Sequence, residues 1–195
     1  MLGFPLGILS AAGAGGVVSA GSYELIESNI LGSAQTSITF SGLATYASTY
    51  KHLQIRIACM FDSINSTIQA RINGDSGANY TRHALRTNVG AGSVETNSGT
   101  SLTQMLIHYN QDNNSTNEPA ASVIDFVDVY AAKNRTIRAL SGTSSGANKN
   151  QLWMSSGLYL STASLTSITI QAGTSFDSSG GNFRTGSRFS LYGIR

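Results

Sequence analysis

Apolar and polar residues alternate in short runs along most of this chain, which is the side-chain period of a β-strand. The clearest run covers residues 50–60. The apolar side chains on one face of this run are those of Leu53, Ile55, Ile57 and Cys59. We expect a central strand with these residues in the core and with its other face in solvent or in an interface.

Similar runs, separated by clusters of Gly, Ser and Asn, predict about ten strands, and no segment shows a useful helical period. The predicted strands cover residues 22–31, 35–40, 50–60, 67–72, 79–86, 102–109, 122–130, 135–140, 151–160, 165–171 and 186–195. In the run 122–130 apolar residues fall on both faces, so we expect cover on both sides. The Gly-, Ser- and Thr-rich stretch 87–101 predicts an exposed loop.

This number of strands favours a two-sheet antiparallel sandwich of jelly-roll type over a tight barrel, because the polar loops are long. We expect the sandwich to occupy residues 22–195. The Asn73-Gly74 pair predicts a hairpin turn, since both residues tolerate positive φ. The final run, 186–195, predicts a strand that completes a sheet, with Phe189 and Leu191 on one face.

Residues 1–21 contain no charged residue and six glycines. Their large side chains predict an extended apolar arm that is ordered by burial against another chain, because alone it cannot offset its ordering entropy. The candidate anchor residues are Leu2, Phe4, Leu6, Ile8 and Leu9. Glycines and Pro5 argue against a membrane-spanning helix, and a basic region typical of a secretory signal is missing.

Composition and charge restrict the classes of partner and of covalent cross-link that this chain can have. Charged residues make up 11% of the chain, against about 25% in an average soluble protein. The formal net charge is only +2, and the basic residues are scattered, so we expect no nucleic-acid partner. The one cysteine, Cys59, excludes an internal disulfide and is expected to be a small buried hydrophobe.

No motif predicts catalysis, a metal or a cofactor. Residues 74–77, Gly-Asp-Ser-Gly, resemble a serine-protease nucleophile segment, but the required base and orienting acid are not suitably placed. The histidines His52, His83 and His108 lack the spacing of metal ligands within one chain, so surface or interface positions are favoured. We therefore expect a protein that is not an enzyme.

Aromatic residues between polar loops offer two interpretations. Trp153 and Tyr159 are candidate surface residues that stack on sugar rings or enter a protein interface, while core packing explains the same residues. The polar loop that contains Asn113 and Asn114 is a candidate for the same glycan contacts. Both interpretations are open at the level of sequence.

Five motifs together resemble a group of small virion structural proteins of tailed bacteriophages. They are YELIE (23–27), ITFSGL (38–43), YKHLQIR (50–56), RINGDSGANY (71–80) and the ending GSRFSLYGIR (186–195). This resemblance implies a jelly-roll sandwich that assembles as a trimer or higher oligomer on the virion. It implies no catalytic residues and no cofactor.

Three functional hypotheses follow from this resemblance and from the apolar arm. The first is a non-enzymatic tail fibre or tail-associated appendage, joined through residues 1–21 to other virion proteins and located in the virion. The second is a capsid decoration, or cement, protein. The third is a sandwich that recognises or hydrolyses carbohydrate, such as a receptor-binding module for a host surface glycan.

Overall fold

The computed structural model describes residues 22–63, 65–88, 92–110, 119–143, 150–174, 176 and 180–195. Within these ranges the chain forms two antiparallel sheets packed face to face, which confirms the predicted all-β sandwich. The large sheet consists, in spatial order, of β1 (Tyr23–Ile30), β12 (Arg188–Ile194), β3 (His52–Cys59), β8 (Ala120–Val127), β9 (Arg135–Thr143), β10 (Gln151–Tyr159), β5 (Tyr80–Asn88) and β6 (Ser93–Leu102). The small sheet consists of β2 (Ser37–Phe40), β11 (Ile168–Gly173), β4 (Ser66–Ile72) and β7 (Met105–Asn110).

The chain passes repeatedly between the two sheets. The strands β1 to β4 alternate between the large and the small sheet, and so do β7 and β8 and then β11 and β12. Two hairpins, β5–β6 and β9–β10, lie wholly in the large sheet and extend it beyond β8. They meet where β10 pairs with β5, so the extension joins strands that are far apart in sequence.

The core lies between the sheets and is formed by the predicted faces. On β3, Leu53, Ile55 and Cys59 have no exposed side-chain area, and the strand lies between β12 and β8 as a central strand should. Cys59 is a free buried thiol, as predicted, and burial raises its pKa. Such a thiol is predominantly protonated at neutral pH and packs as a hydrophobe.

The prediction of a loop at residues 87–101 is wrong for most of this stretch, because β6 occupies Ser93–Leu102. This strand is an edge of the large sheet and pairs only with β5. Its side chains are mostly small and polar, and none of them is fully buried. Main-chain hydrogen bonds to β5 hold this strand in place. Main-chain pairing does not require apolar residues at every second position, so the sequence carries no strand pattern here.

The predicted Asn73-Gly74 hairpin is also wrong in its connection. Asn73 and Gly74 do have positive φ values, 55° and 67°, as a tight turn requires. However, β4 lies in the small sheet and β5 lies in the large sheet, so the turn carries the chain across the sandwich. The Asn73 side chain holds this crossing by accepting hydrogen bonds from the main-chain N–H groups of Thr166 and Ser167.

The last strand, β12, is inserted between β1 and β3. Phe189 and Leu191 have no exposed area and face the core, as the alternation predicted. The Phe189 ring packs edge-on against Phe183, with 4.9 Å between ring centroids. This strand is therefore an interior strand of the large sheet.

Candidate interaction surface

The outer face of the large sheet, which points away from the small sheet, carries a row of apolar side chains. Four of them lie directly opposite one another on neighbouring strands, in the order Leu85 (β5), Met154 (β10), Leu140 (β9) and Val123 (β8). Directly opposed side chains are about 5 Å apart, so the row is continuous. We call these four residues the apolar stripe.

Each residue of the apolar stripe is substantially exposed. The exposed fractions are 50% for Leu85, 54% for Met154, 51% for Leu140 and 38% for Val123. Their strands alternate strictly, so their sequence neighbours Trp153, Ala139 and Ile124 point into the core. The extended part of the large sheet is therefore apolar on both faces. For β8, cover on both sides was expected, and among the residues that the structure describes only its inner face is covered.

A row of polar residues runs beside the stripe, two positions further along each strand. It contains His83, Ser156, Arg138 and Asp125, which we call the polar row. Arg138 Nη2 lies 4.0 Å from Asp125 Oδ2, and Gln54 Nε2 donates a hydrogen bond of 2.8 Å to Asp125 Oδ1. The Asp125 carboxylate thus lies between a hydrogen-bond donor and a guanidinium group, and Ser156 and His83 are exposed at the surface.

A groove of about 860 Å³ lies over the stripe and the polar row. Its lining includes the four apolar side chains of the stripe and the polar row of His83, Asp125, Arg138 and Ser156. An apolar floor with a few convergent polar groups is typical of a binding site. Towards β3 the stripe ends at Arg56, whose guanidinium packs on the Tyr192 ring at 4.5 Å.

The structure corrects the sequence-based interpretation of Trp153 and Tyr159 as surface contacts. Trp153 has no exposed area and packs with Ala84 and Leu106 on the inner side of β10. Tyr159 is 2% exposed, and its ring stacks on Tyr80 at 4.9 Å. Because both rings are buried within the chain, core packing, the alternative interpretation, is the correct one.

The Tyr159 hydroxyl belongs to a small network at Asp75. It donates a hydrogen bond of 2.9 Å to Asp75 Oδ2, and Asn79 Nδ2 donates to the same oxygen at 2.9 Å. The Gly77 main-chain N–H donates to Asp75 Oδ1 at 2.7 Å. These donors, with Asn79 making the largest contribution, lower the pKa of Asp75. The network is complete without a ligand and stabilises the turn.

The three histidines occupy different places. His52 Nδ1 accepts a hydrogen bond from the Asp128 main-chain N–H, and His83 lies in the polar row. His108 is fully buried, which corrects its expected surface position, and burial lowers its pKa to about 3. In the part of the chain that the structure describes, no three His, Cys, Asp or Glu side chains come together as a metal site requires.

Several predicted site residues lie outside the described residues. These are the candidate anchors Leu2, Phe4, Leu6, Ile8 and Leu9, and the loop residues Asn113 and Asn114. Across the ranges that are described, no helix has the length and apolar character needed to cross a membrane.

Comparison with protein-family models, curated proteins and solved structures finds no match. The apolar stripe is the feature of this surface that the sequence pattern did not predict. A signal for it was present in residues 151–160, where Leu152, Met154 and Leu158 alternate with buried aromatic residues. A strand that is apolar on both faces indicates a second covered surface.

Proposed function

We propose that this chain is a non-enzymatic structural protein of a tailed-phage virion. In this proposal it is a tail fibre or a tail-associated appendage, assembled through residues 1–21 and forming a trimer or higher oligomer. Its partners are other virion proteins, and its place is the virion.

The apolar stripe is the observation that carries this proposal. Four adjacent apolar side chains, each between 38% and 54% exposed, form a continuous surface on a rigid sheet. Contiguous exposed apolar patches on soluble proteins mark interaction sites. A protein whose role is assembly needs such a surface, and it needs no catalytic residues.

Topology adds support for the virion resemblance. Eight strands divide into two four-stranded groups as the chain alternates between the sheets: β1, β3, β8 and β12 in the large sheet, and β2, β4, β7 and β11 in the small sheet. This alternation favours a jelly-roll winding, an arrangement found in viral capsid domains. The hairpins β5–β6 and β9–β10 are then additions to that winding, and they carry three of the four residues of the apolar stripe.

A capsid decoration protein is the second candidate, because an exposed apolar stripe fits attachment to a head subunit as well as to a tail subunit. The glycan-binding alternative has less support. Two of its four named contact residues, Trp153 and Tyr159, are buried inside the chain and cannot stack on a sugar ring.

Incorporation into particles tests the proposal. A variant without residues 1–21 is expected to remain a folded, soluble sandwich and to be missing from purified particles. A matched control keeps the chain length and replaces five large apolar residues by serine: Leu2, Phe4, Leu6, Ile8 and Leu9. This control separates the loss of side chains from the loss of chain length.

Both variants should fail to incorporate while the full chain is found in particles by gold labelling or mass spectrometry. Labelling on the tail supports the appendage, and labelling on the head supports decoration. Normal incorporation of the serine variant would contradict assembly through residues 1–21. Absence of the full chain from particles would contradict the virion proposal itself.

A further inference from the structure

We propose that the apolar stripe is the docking site for residues 2–9 of a neighbouring copy of the same chain. This inference rests on the proposed function, because both assign residues 1–21 to assembly. It goes further in naming the partner and the receiving surface. Subunits would then be joined by exchange of these segments.

The stripe is suited to side-chain packing and not to strand addition. All four of its strands, β8, β9, β10 and β5, have a neighbour on each side, so their ladder hydrogen bonds are already made. An extended segment can therefore lie across the strands but cannot join the sheet there. Its side chains would enter the groove of about 860 Å³.

Residues 2–9 match this surface in pattern. In an extended chain, alternate side chains share one face, which places Leu2, Phe4, Leu6 and Ile8 together. The opposite face carries Gly3, Pro5 and Gly7, with Leu9 at its end. Proline fixes an extended φ, and the absence of side chains on glycine lets another backbone approach closely.

The lengths also agree. The stripe crosses four strands, about 15 Å between its outer strands at ~4.8 Å for each step. Three alternate side chains of the extended segment, Phe4, Leu6 and Ile8, span four residue steps, about 13 Å at ~3.3 Å for each step, and Leu2 would lie beyond the outer strand. The main chain of the docked segment would pass beside the polar row, where His83, Ser156 and Arg138 can offer hydrogen bonds.

Charge is compatible with this pairing. Residues 1–21 contain no Asp, Glu, Lys or Arg, and the stripe itself is uncharged. Arg138 and Asp125 lie 4.0 Å from each other at the border of the stripe. Arg56, which lies opposite Val123, donates a hydrogen bond to Gln54 and packs on the Tyr192 ring. Docking would therefore leave no charged side chain buried without a partner.

The connection between the segment and the sandwich is long enough for exchange between subunits, the arrangement that the proposed oligomer favours. Tyr23 on β1 and Val123 on β8 are separated by three strand-to-strand spacings across the sheet. Along the strands they are four residues apart, because Tyr23 pairs with Ile194 whereas Val123 lies in line with Ser190 of the same strand, β12. These steps correspond to about 20 Å. Residues 10–21 are rich in Gly, Ala and Ser and can span about 40 Å, roughly twice what docking within one subunit needs.

Self-association measured by light scattering and sedimentation over a range of concentrations tests the inference. The full chain is expected to form a defined oligomer. The stripe variant Leu140→Lys/Met154→Lys and the segment variant Leu6→Lys/Ile8→Lys should each weaken self-association by about tenfold or more. The matched control is Leu25→Lys/Ile30→Lys, which changes two side chains on β1 that are 56% and 57% exposed and lie outside the stripe. It should associate like the full chain.

Mixing the two variants provides the decisive measurement. The stripe variant retains an intact segment, and the segment variant retains an intact stripe, so their mixture should form a mixed dimer that neither forms alone. Thermal melting of each variant checks that it is folded. Oligomers that persist in the segment variant, equal weakening by the β1 control, or a mixture that stays monomeric would each overturn the inference. A full chain that is monomeric throughout would do the same.

The outcomes separate this inference from the proposed function. If the stripe variant is still oligomeric but the chain without residues 1–21 is missing from particles, those residues join a different virion protein and only the inference fails. If mixing restores association but the full chain is never found in particles, only the proposed function fails.

Discussion

Asp75 shows how single side chains hold the crossing between the two sheets. It lies just after the Asn73-Gly74 turn and receives hydrogen bonds from Asn79, Gly77 and the Tyr159 hydroxyl. Tyr159 comes from β10, so the carboxylate ties the turn to the extended part of the large sheet. Its lowered pKa makes this tie dependent on pH.

We predict that Asp75→Asn lowers the free energy of unfolding at pH 7 by about 1 kcal/mol, a modest value because the carboxylate is partly exposed to solvent. The folded pKa of Asp75 is below the unfolded one, so its contribution is complete above the unfolded pKa of about 4 and is lost as the pH falls through the folded pKa. Urea unfolding at pH 7 and pH 3 measures this. The difference between variant and full chain should shrink at pH 3, and a constant difference would contradict the carboxylate's role.

The burial of individual aromatic residues was not fixed by their own sequence neighbourhood. In residues 151–160, both Trp153 and Met154 belong to apolar series, and alternation alone does not say which series faces inward. The pairing of β10 with β5 and β9 decides it by turning Trp153 towards Leu106. The apolar stripe was missed for the same reason, because Met154 belongs to the apolar series that faces outward.

Gly157 is a position where β10 passes close to neighbouring residues, so it tests the packing of that strand. A Cβ atom at Gly157 would lie 2.0 Å from the Thr81 carbonyl oxygen and 2.6 Å from Met105 Sδ. We predict that Gly157→Ala lowers the free energy of unfolding by about 2 kcal/mol or more, because backbone must shift. Denaturant unfolding measures the loss.

The control for this prediction is Gly142→Ala in the same hairpin. A Cβ atom there has the Gln151 carbonyl oxygen at 3.5 Å as its nearest neighbour, which is an ordinary contact. Its effect should be within about 0.5 kcal/mol. Equal effects of the two substitutions would show that the close approach at Gly157 does not determine stability.

The interior position of β12 makes Phe189 a sensitive residue. We predict that Phe189→Asp unfolds the domain, because an unpaired carboxylate in the core costs more than about 4 kcal/mol, a large part of a typical domain's stability. Circular dichroism and thermal melting measure the result. Arg188→Asp, at an exposed position on the same strand, should melt cooperatively. A soluble Phe189→Asp protein with a cooperative transition would mean that β12 is peripheral.

Strands with a buried face could be predicted from sequence, and strands held only by main-chain pairing could not. One face of β3, β4 and β12 packs in the core, so apolar residues recur at every second position, and these strands were located to within about two residues, the usual uncertainty of element boundaries. In β6 no such burial exists. The Asn73-Gly74 turn was located correctly, but turn chemistry does not say whether the chain returns to the same sheet.

Amide hydrogen exchange should follow the order of strands across the large sheet. The edge strands β1 and β6 each pair with one neighbour, and β3 and β8 lie in the interior. We predict the slowest exchange in β3 and β8 and fast exchange of the outward-facing amides of β6, because these lack a ladder partner. Mass spectrometry or NMR measures the rates. Protection of β6 equal to that of β3 would mean that another chain pairs with this edge.

The order of strands across each sheet could not be predicted, because it depends on contacts between distant parts of the chain. Nothing in the local sequence of β5 specifies β10 as its neighbour, and the hairpins that meet there are separated by β7 and β8. The groove over the stripe forms only from this meeting. Candidate residues could thus be predicted one strand at a time, but their assembly into a surface could not.

The insertion of β12 between β1 and β3 has a consequence for synthesis on the ribosome. The neighbours of this strand are made early, but β12 emerges only after residues 188–194 have been translated. Until then β1 has no partner in the sheet and β3 lacks one of its two ladders. A chain released before residue 188 would therefore leave a gap in its large sheet, with open strand edges that favour aggregation. The large sheet is thus completed only when residues 188–194 have been made.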